Sequence, residues 1–343
     1  MSESLQDIAR RLVVPQKGLL AADESSGTIK KRFDTIGLAS TVDSRRDYRE
    51  MLFSAKKAMS EHISGVILFD ETIRQNAKDG TPLVKLIEDA GSIPGIKVDA
   101  GAIPMVGFPG ETITEGLDGL GKRLAEYRVL GARFAKWRAA ISISSVLPSS
   151  GATYANAHAL ARYAALCQSE GIVPIVEPEV LMDGNPATHD IERCHGVTEE
   201  VLRVVFEELA RLRVDLTGII LKPNMVVPGK DSGQVVSSKE IAERTVAVFH
   251  ASVPTTVPGI AFLSGGQSDE EATANLSAIN QIKGLPWSIT FSYGRALQSA
   301  ALKAWGGKAE NVAAGQRAFL HRCAMNGLAT VGEWTDAKEK QAA

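Results

Sequence analysis

The sequence predicts an α/β fold of the (β/α)8 TIM-barrel type in a single domain. Three observations predict it. Eight short, apolar, β-rich segments alternate with longer segments that carry charge at helical spacing. Nearly every apolar segment ends in a polar or charged cluster. The length, 343 residues, suits one barrel with insertions, which runs from roughly 200 to over 400 residues. The alternative is a doubly wound open sheet, which gathers its polar residues at one switch point. Here Asp23, Asp70, Lys136, Glu177, Lys222, Ser264 and Ser292 are spread over the strand ends. A barrel brings all strand ends to one mouth, so scattered clusters become one site.

The predicted strands run over 17–23, 65–70, 93–99, 132–138, 172–179, 217–224, 259–266 and 287–294. Between them, 44–61 reads as one helix with Tyr48, Met51, Leu52 and Ala55 on one stripe. Helices are predicted likewise over 199–214 and 269–282. The stretch 146–157 reads as a loop entering a helix near Thr153. No low-complexity linker divides the chain, so 1–343 is taken as one domain. Its last residues, TDAKEKQAA from Thr335, are expected to form a short flexible tail.

Composition narrows the function. With 38 basic and 40 acidic side chains and a net charge of −2, no global field draws nucleic acid or an anionic membrane. Neither is expected as a partner, and anion recognition must be local. The three cysteines, Cys167, Cys194 and Cys323, are widely spaced and show no paired motif, which fits a reducing compartment. The N-terminal stretch lacks a long apolar core, and no run approaches the roughly 20 apolar residues that span a bilayer. A cytoplasmic enzyme is the expectation.

Lys222 is the sharpest candidate. It follows the apolar run Gly-Ile-Ile-Leu and precedes Pro223. A lysine ending a buried strand is desolvated, which disfavours its ammonium form. A second cation nearby does the same, and a neutral amine is a nucleophile toward carbonyls. The plainer reading is a lysine snorkelling to the barrel mouth. Lys136 and Arg138 are two apart, so on a strand they share a face. Glu177 and Glu179 have the same spacing, and like charges held close raise at least one carboxyl pKa, which prepares a general acid/base. The plainer reading of that pair is a rim of structural ion pairs, with Lys136 and Lys222 as counter-charges. Asp23 ends a strand before Glu-Ser-Ser-Gly-Thr, where it reads either as a helix cap or as a carboxylate that orients a substrate hydroxyl.

The loops FLSGGQSDEE and FSYGRALQ follow the seventh and eighth strands. In barrels those loops often hold phosphate through backbone N–H groups. Gly265 and Gly266 permit close backbone approach, and Arg295 offers a forked contact. There is no P-loop, no dinucleotide fingerprint, and no histidine pair at metal-ligand spacing. A reaction without metal or cofactor is expected. The sum is carbanion chemistry on a phosphorylated carbonyl compound.

The segments LLAADESSGTIKKR, IKVDAG, GLDGL, FAKWR, GIVPIVEPE, LKPNM, FLSGGQS and FSYGRALQ resemble those of the class I fructose-bisphosphate aldolases. They occur in that family's order, from about Leu19 to about Gly307. The resemblance implies reversible cleavage of fructose 1,6-bisphosphate to dihydroxyacetone phosphate and glyceraldehyde 3-phosphate. It implies Lys222 as the Schiff-base lysine and Glu177 as the main general acid/base. Glu179 would hold the lysine network, Lys136 would assist charge transfer, and Asp23 would handle the hydroxyl that loses its proton. Ser264, Gly265, Gly266, Ser292, Gly294 and Arg295 would hold the phosphate nearest the carbonyl. Ser25, Arg32 and Thr28 would hold the distal one, with Arg138 lining the site. A homotetramer is implied.

Two departures concern the distal phosphate. Family members commonly carry a lysine where this chain has Ala100, and many end in a tyrosine where this chain ends in Ala343. A weakened preference for the bisphosphate over fructose 1-phosphate is therefore expected, unless Lys30 or Lys31 compensates. The competing readings are a non-catalytic scaffold on the same barrel and a transaldolase-like transfer through the same imine.

Overall fold

Eight parallel strands close on themselves in sequential order. They are β1 (Gly18–Ala22), β2 (Ile63–Leu68), β3 (Ile93–Lys97), β4 (Phe134–Ile141), β5 (Val173–Val180), β6 (Ile220–Leu221), β7 (Gly259–Phe262) and β8 (Ser288–Tyr293). The computed structural model describes residues 3–182 and 187–341. The last two residues of the expected tail lie outside them. An antiparallel hairpin, Gly101–Pro104 with Thr112–Glu115, projects after β3.

Each predicted strand is present, and the sixth is the one most changed. β6 has two paired residues, Ile220 and Leu221. Ahead of it, Leu216–Gly218 is a 3-10 turn whose Thr217 N–H donates to Asp215 Oδ1 at 2.9 Å. Behind it, Pro223 has no N–H to continue the ladder. The Lys222 N–H still donates to the Val176 carbonyl at 2.8 Å, which fixes Lys222 against β5.

The predicted helices at 199–214 and 269–282 are Ile191–Arg211 and Asp269–Gln281. Asp190 and Ser268 cap them, and Ser268 forms a capping box with Glu271. The loop at 146–157 leads, as expected, into a helix, Ser150–Ser169. The single helix expected over 44–61 is two, Val42–Phe53 and Lys56–His62. The break has a local cause. Gln316 Nε2 donates to the Met51 carbonyl and to Ser54 Oγ, both at 3.0 Å. That carbonyl is the one Ala55 N–H would have taken, and Ala55 N–H turns to Leu52 O at 3.2 Å instead. The chain end expected to be flexible carries a short helix, Asp336–Gln341, whose Glu339 pairs with Arg322 and His321.

The barrel interior is filled from below. Inward-facing Leu19, Ala21, Ile67, Ile93, Phe134, Val173, Ile175, Ile220 and Ala261 form one buried cluster. The N-terminal helix Leu5–Leu12 joins it with Ile8, Ala9 and Leu12, followed by Val13, and so closes the bottom of the barrel. Outside, a larger apolar layer joins the strands to the surrounding helices.

Phe134 takes the space that two glycines leave open. A Cβ on Gly95 would lie 2.3 Å from the Phe134 ring, and one on Gly65 would lie 2.9 Å from it. Phe134 is fully buried, so neither contact can be relieved toward solvent. Gly95→Ala should therefore overpack the floor and lower stability by about 2 kcal/mol. Denaturant unfolding reads this, and a cycle with Phe134→Leu should be clearly non-additive. Additive effects would mean that the ring and Gly95 do not share this space.

Candidate active site

Along each strand the inward-facing residues change from apolar to polar. Leu19 and Ala21 lead to Asp23. Ile93 leads to Lys97 and Asp99, Phe134 to Lys136 and Arg138, Val173 and Ile175 to Glu177 and Glu179, and Ile220 to Lys222. Strand alternation puts each series on one face, and the β4–β5 register sets Arg138 beside Glu177 and Ala140 beside Glu179. The polar ends surround a cavity of 620 Å³ lined by Asp23, Ser25, Thr28, Arg32, Lys136, Arg138, Glu179, Lys222, Ser264, Gly265, Ser292, Gly294 and Arg295. Glu177 lies under it, against the two lysines. Gly266 faces an adjoining cavity that also reaches Arg295.

One buried chain of contacts centres on Lys136. Its Nζ lies 2.7 Å from Asp23 Oδ2 and 3.3 Å from Glu177 Oε2. Glu177 Oε1 is 3.1 Å from Lys222 Nζ. Lys136, Glu177 and Lys222 are all buried. Glu177 Oε2 makes no aligned hydrogen bond, so it has room for a proton. Asp23 does not cap the next helix. Ser25 does, accepting the Thr28 N–H at 3.4 Å, which leaves the Asp23 carboxylate to Lys136 and the cavity.

Glu179 is not part of the lysine pairing expected of it. Its Oε2 pairs with Arg138 Nε. The β4–β5 neighbours explain this, because Arg138 and Glu179 both sit nearer the mouth than Lys136. Asp70, expected at the mouth, starts a short helix after Phe69 and binds Arg74 and Tyr127 outside the cavity.

Three further charged residues belong to the site. Lys97 and Asp99 pair at 2.6 Å. Their two-residue spacing in IKVD is the same signal that marked Lys136 and Arg138. Glu24 is buried between Arg32 and Arg49, with Arg49 Nη2 at 2.6 Å and Gln298 Nε2 at 3.0 Å. No sequence spacing reveals that convergence, because its partners come from distant segments.

The end of the cavity where an anion was expected has its own constraints. Gly266 has φ +75°, and a Cβ there would lie 2.5 Å from Met182 Cβ, so both conformation and space require glycine. Gly265 packs against Glu179, where a Cβ would lie 2.9 Å from Oε1. Ser292 Oγ is buried with no protein partner, a polar atom left for a ligand. Arg295 is exposed, and its Nη2 donates to Gln267 O at 2.8 Å, joining the two loops.

Charge pairing decides the protonation states. Burial opposes the Asp23 carboxylate, but Lys136 and Lys222 outweigh it and hold the pKa down to about 2. Burial likewise opposes Glu177, and Lys136, Lys222 and Arg138 outweigh it, holding the carboxyl below its ordinary range. The raised value expected from the Glu177/Glu179 pair is thus reversed, because cations lie nearer than the second acid. Lys136 is desolvated, yet Asp23 and Glu177 hold its ammonium well above the usual lysine range. Among the described residues, no three His, Cys, Asp or Glu side chains gather as a metal-ligand set.

A depressed carboxyl pKa gives stability that is present above the unfolded value and lost as pH falls through the folded one. For Asp23 that window runs from about pH 4 to about 2. Asp23→Asn should therefore be less stable than the parent by about 2 kcal/mol at neutral pH. The gap should close across that acid window in denaturant titrations. A gap independent of pH would show that the Asp23–Lys136 pair is not its source.

With this geometry established, known proteins provide the comparison. Residues 4–343 match the family described as fructose-bisphosphate aldolase class-I. A probable fructose-bisphosphate aldolase class 1 of Xanthomonas campestris is 54% identical over 97% of this chain and 98% of its own. A cytosolic fructose-bisphosphate aldolase 4 of Arabidopsis thaliana is 54% identical over 93% of this chain and 80% of its own. The fructose-bisphosphate aldolase of Plasmodium falciparum, solved with TRAP and a small-molecule inhibitor, superposes with a TM-score of 0.93. It shares 46% identity and covers 96% of this chain and 95% of its own. A closed barrel whose buried lysines and carboxylates meet under a polar mouth, matched along its whole length, places this chain in the class I fructose-bisphosphate aldolase family.

Proposed function

We propose that Lys222 forms the Schiff base of this aldolase and that Glu177 and Asp23 divide its proton transfers. The observation that carries this is the buried chain Lys222–Glu177–Lys136–Asp23, with successive contacts of 3.1, 3.3 and 2.7 Å. The nucleophile and both carboxylates are within reach of one bound ketose.

The steps follow from that arrangement. Glu177 takes the proton that Lys222 must lose. As Lys222 becomes neutral, one of the cations that depress Glu177 disappears, so Glu177 holds the proton more readily. The amine lone pair attacks the ketone carbon, and the proton of the ammonium this forms passes to the former carbonyl oxygen, giving a neutral carbinolamine. Glu177 then protonates that hydroxyl, which leaves as water, and an iminium forms at Lys222. Asp23 takes the proton of the hydroxyl on the carbon beyond the scissile bond. The O–H pair becomes the aldehyde C=O, and the C–C pair moves into the iminium to give an enamine. Protonation of the enamine carbon and hydrolysis release the ketone product and restore Lys222. Lys136 stays an ammonium and balances both carboxylates.

Ser264, Gly265, Gly266, Ser292, Gly294 and Arg295 would hold the phosphate nearest the carbonyl. Ser25, Thr28 and Arg32 would take the distal one, with Arg138 between them and held by Glu179. This division is supported by the cavity, which joins both groups across its mouth. The resemblance further supports a homotetramer, and a relative's cytosolic name supports a cytoplasmic setting. Among the described residues no helix is long and apolar enough to cross a membrane.

Borohydride reduction with dihydroxyacetone phosphate tests the lysine. The adduct should map to Lys222, and an adduct elsewhere would overturn the assignment. Asp23→Asn separates the two carboxylates. Dihydroxyacetone phosphate has no scissile bond, so the variant should still be trapped, while cleavage of the bisphosphate falls by about 10² to 10⁴. Equal loss of trapping and cleavage would move Asp23 to imine formation.

Ala100 lines the cavity without the charge a lysine would bring there, which favours a weaker hold on the distal phosphate. Ala100→Lys should raise kcat/KM for fructose 1,6-bisphosphate relative to fructose 1-phosphate by about tenfold. An unchanged ratio would show that the distal phosphate does not pass Ala100.

A further inference from the structure

Helix Val312–Ala329 contributes nothing to the cavity lining, yet it carries a buried cation, Arg322. Its guanidinium reaches two other helices. Nη2 donates to Asp269 O at 2.9 Å and to Thr273 Oγ1 at 2.5 Å, while Nε points to Ala296 O at 3.4 Å. Thr273 Oγ1 donates in turn to Asp269 O at 2.8 Å. All of these acceptors lie near the start of Asp269–Gln281 and Arg295–Trp305. Gln267 and Ser268 separate the first of those helices from Ser264–Gly266, and the second begins directly after Gly294, which follows the end of β8.

The placement is electrostatically unusual. Helix N-termini carry partial positive charge, which disfavours a buried cation beside two of them. The direct ion-pair partner is Glu339, whose Oε1 lies 2.5 Å from Arg322 Nη1 and 2.7 Å from His321 Nε2, and the Asp269 carboxylate also feels the cation. Trp334 Nε1 fixes the other oxygen at 2.7 Å. The guanidinium here spaces the two helix starts beneath the loops. On the mouth side, Arg295 already ties the same loops through Gln267 O at 2.8 Å. The loops are thus braced from above and from below.

Resting on the phosphate assignment above, we propose that Arg322 is a positioning residue for the phosphate nearest the carbonyl, and that Glu339 holds Arg322 in place. It touches no substrate. It sets the relative position of the two loops that do.

The test compares Arg322→Met, Arg322→Lys, Glu339→Gln and Thr273→Val with Arg295→Gln. Steady-state cleavage and competitive inhibition by inorganic phosphate are measured for each. Arg322→Met should raise KM and the phosphate inhibition constant together, by about tenfold, with kcat changed less than about twofold. Arg322→Lys should recover part of the loss, and Glu339→Gln should shift both constants the same way by a smaller factor. A purely structural role predicts a lower Tm with both constants unchanged, and that result overturns the proposal. If Arg322→Met does not fold, unchanged phosphate inhibition in both Glu339→Gln and Thr273→Val overturns it equally. Arg295→Gln separates the two levels of the argument. Unchanged phosphate inhibition there overturns the loop assignment and this inference with it. A raised constant there, with no effect in the Arg322 series, overturns this inference alone.

Discussion

The site depends on one buried ammonium shared by two carboxylates. Lys136 lies between Asp23 and Glu177, and all three are largely removed from water. Each charge alone would be expensive in that setting, and removing one partner leaves the others uncompensated. The arrangement holds because three strands deliver the groups from different directions. Asp23 follows the last residue of β1, β4 carries Lys136 inward, and β5 carries Glu177 opposite Arg138. Fixing Lys136 as a cation also fixes both acids as anions. They are then ready to accept protons without solvent having to reorganise.

This charged layer is possible because another part of the barrel is entirely apolar. Phe134, in the space left by Gly65 and Gly95, fills the floor beneath Lys136 on the same strand. The apolar floor excludes water from below, and the lysines and carboxylates above it must satisfy one another. The glycines and the ion pairs are thus parts of one construction. Close packing below sets the low dielectric in which pairing above is strong.

Much of this was legible in the chain. Apolar runs ending in charge marked the strands and the mouth, and two-residue spacing put Lys136 with Arg138 and Glu177 with Glu179 on inward faces. Spacing states which face a residue occupies, not which partner lies across the barrel. Glu179 was therefore expected among the lysines and instead pairs with Arg138; at least one carboxyl of the pair was expected to be raised, and Glu177 is held down. Lys97 and Asp99 carried the same spacing and gained no role from it. Glu24 and Arg322 were invisible, since each is defined by partners far along the chain. The split of 44–61 into two helices follows from Gln316, a side chain no local reading includes. Asp70 shows the reverse case, a polar strand end that a short helix turns away from the mouth.

The N-terminal helix makes the barrel a vessel with one opening. Leu12 and Val13 seal the end opposite the cations, so traffic of sugar, water and protons is confined to the rim. Whatever lies deepest, bonded to the lysine, is screened from bulk solvent by whatever lies above it. If Lys222 carries the proposed imine, the aldehyde fragment, outermost after the carbon–carbon bond opens, would depart before water reaches the nitrogen below. On that proposal, the order of product release would follow from the container's shape, set in part by a helix at the far end of the barrel from the cavity.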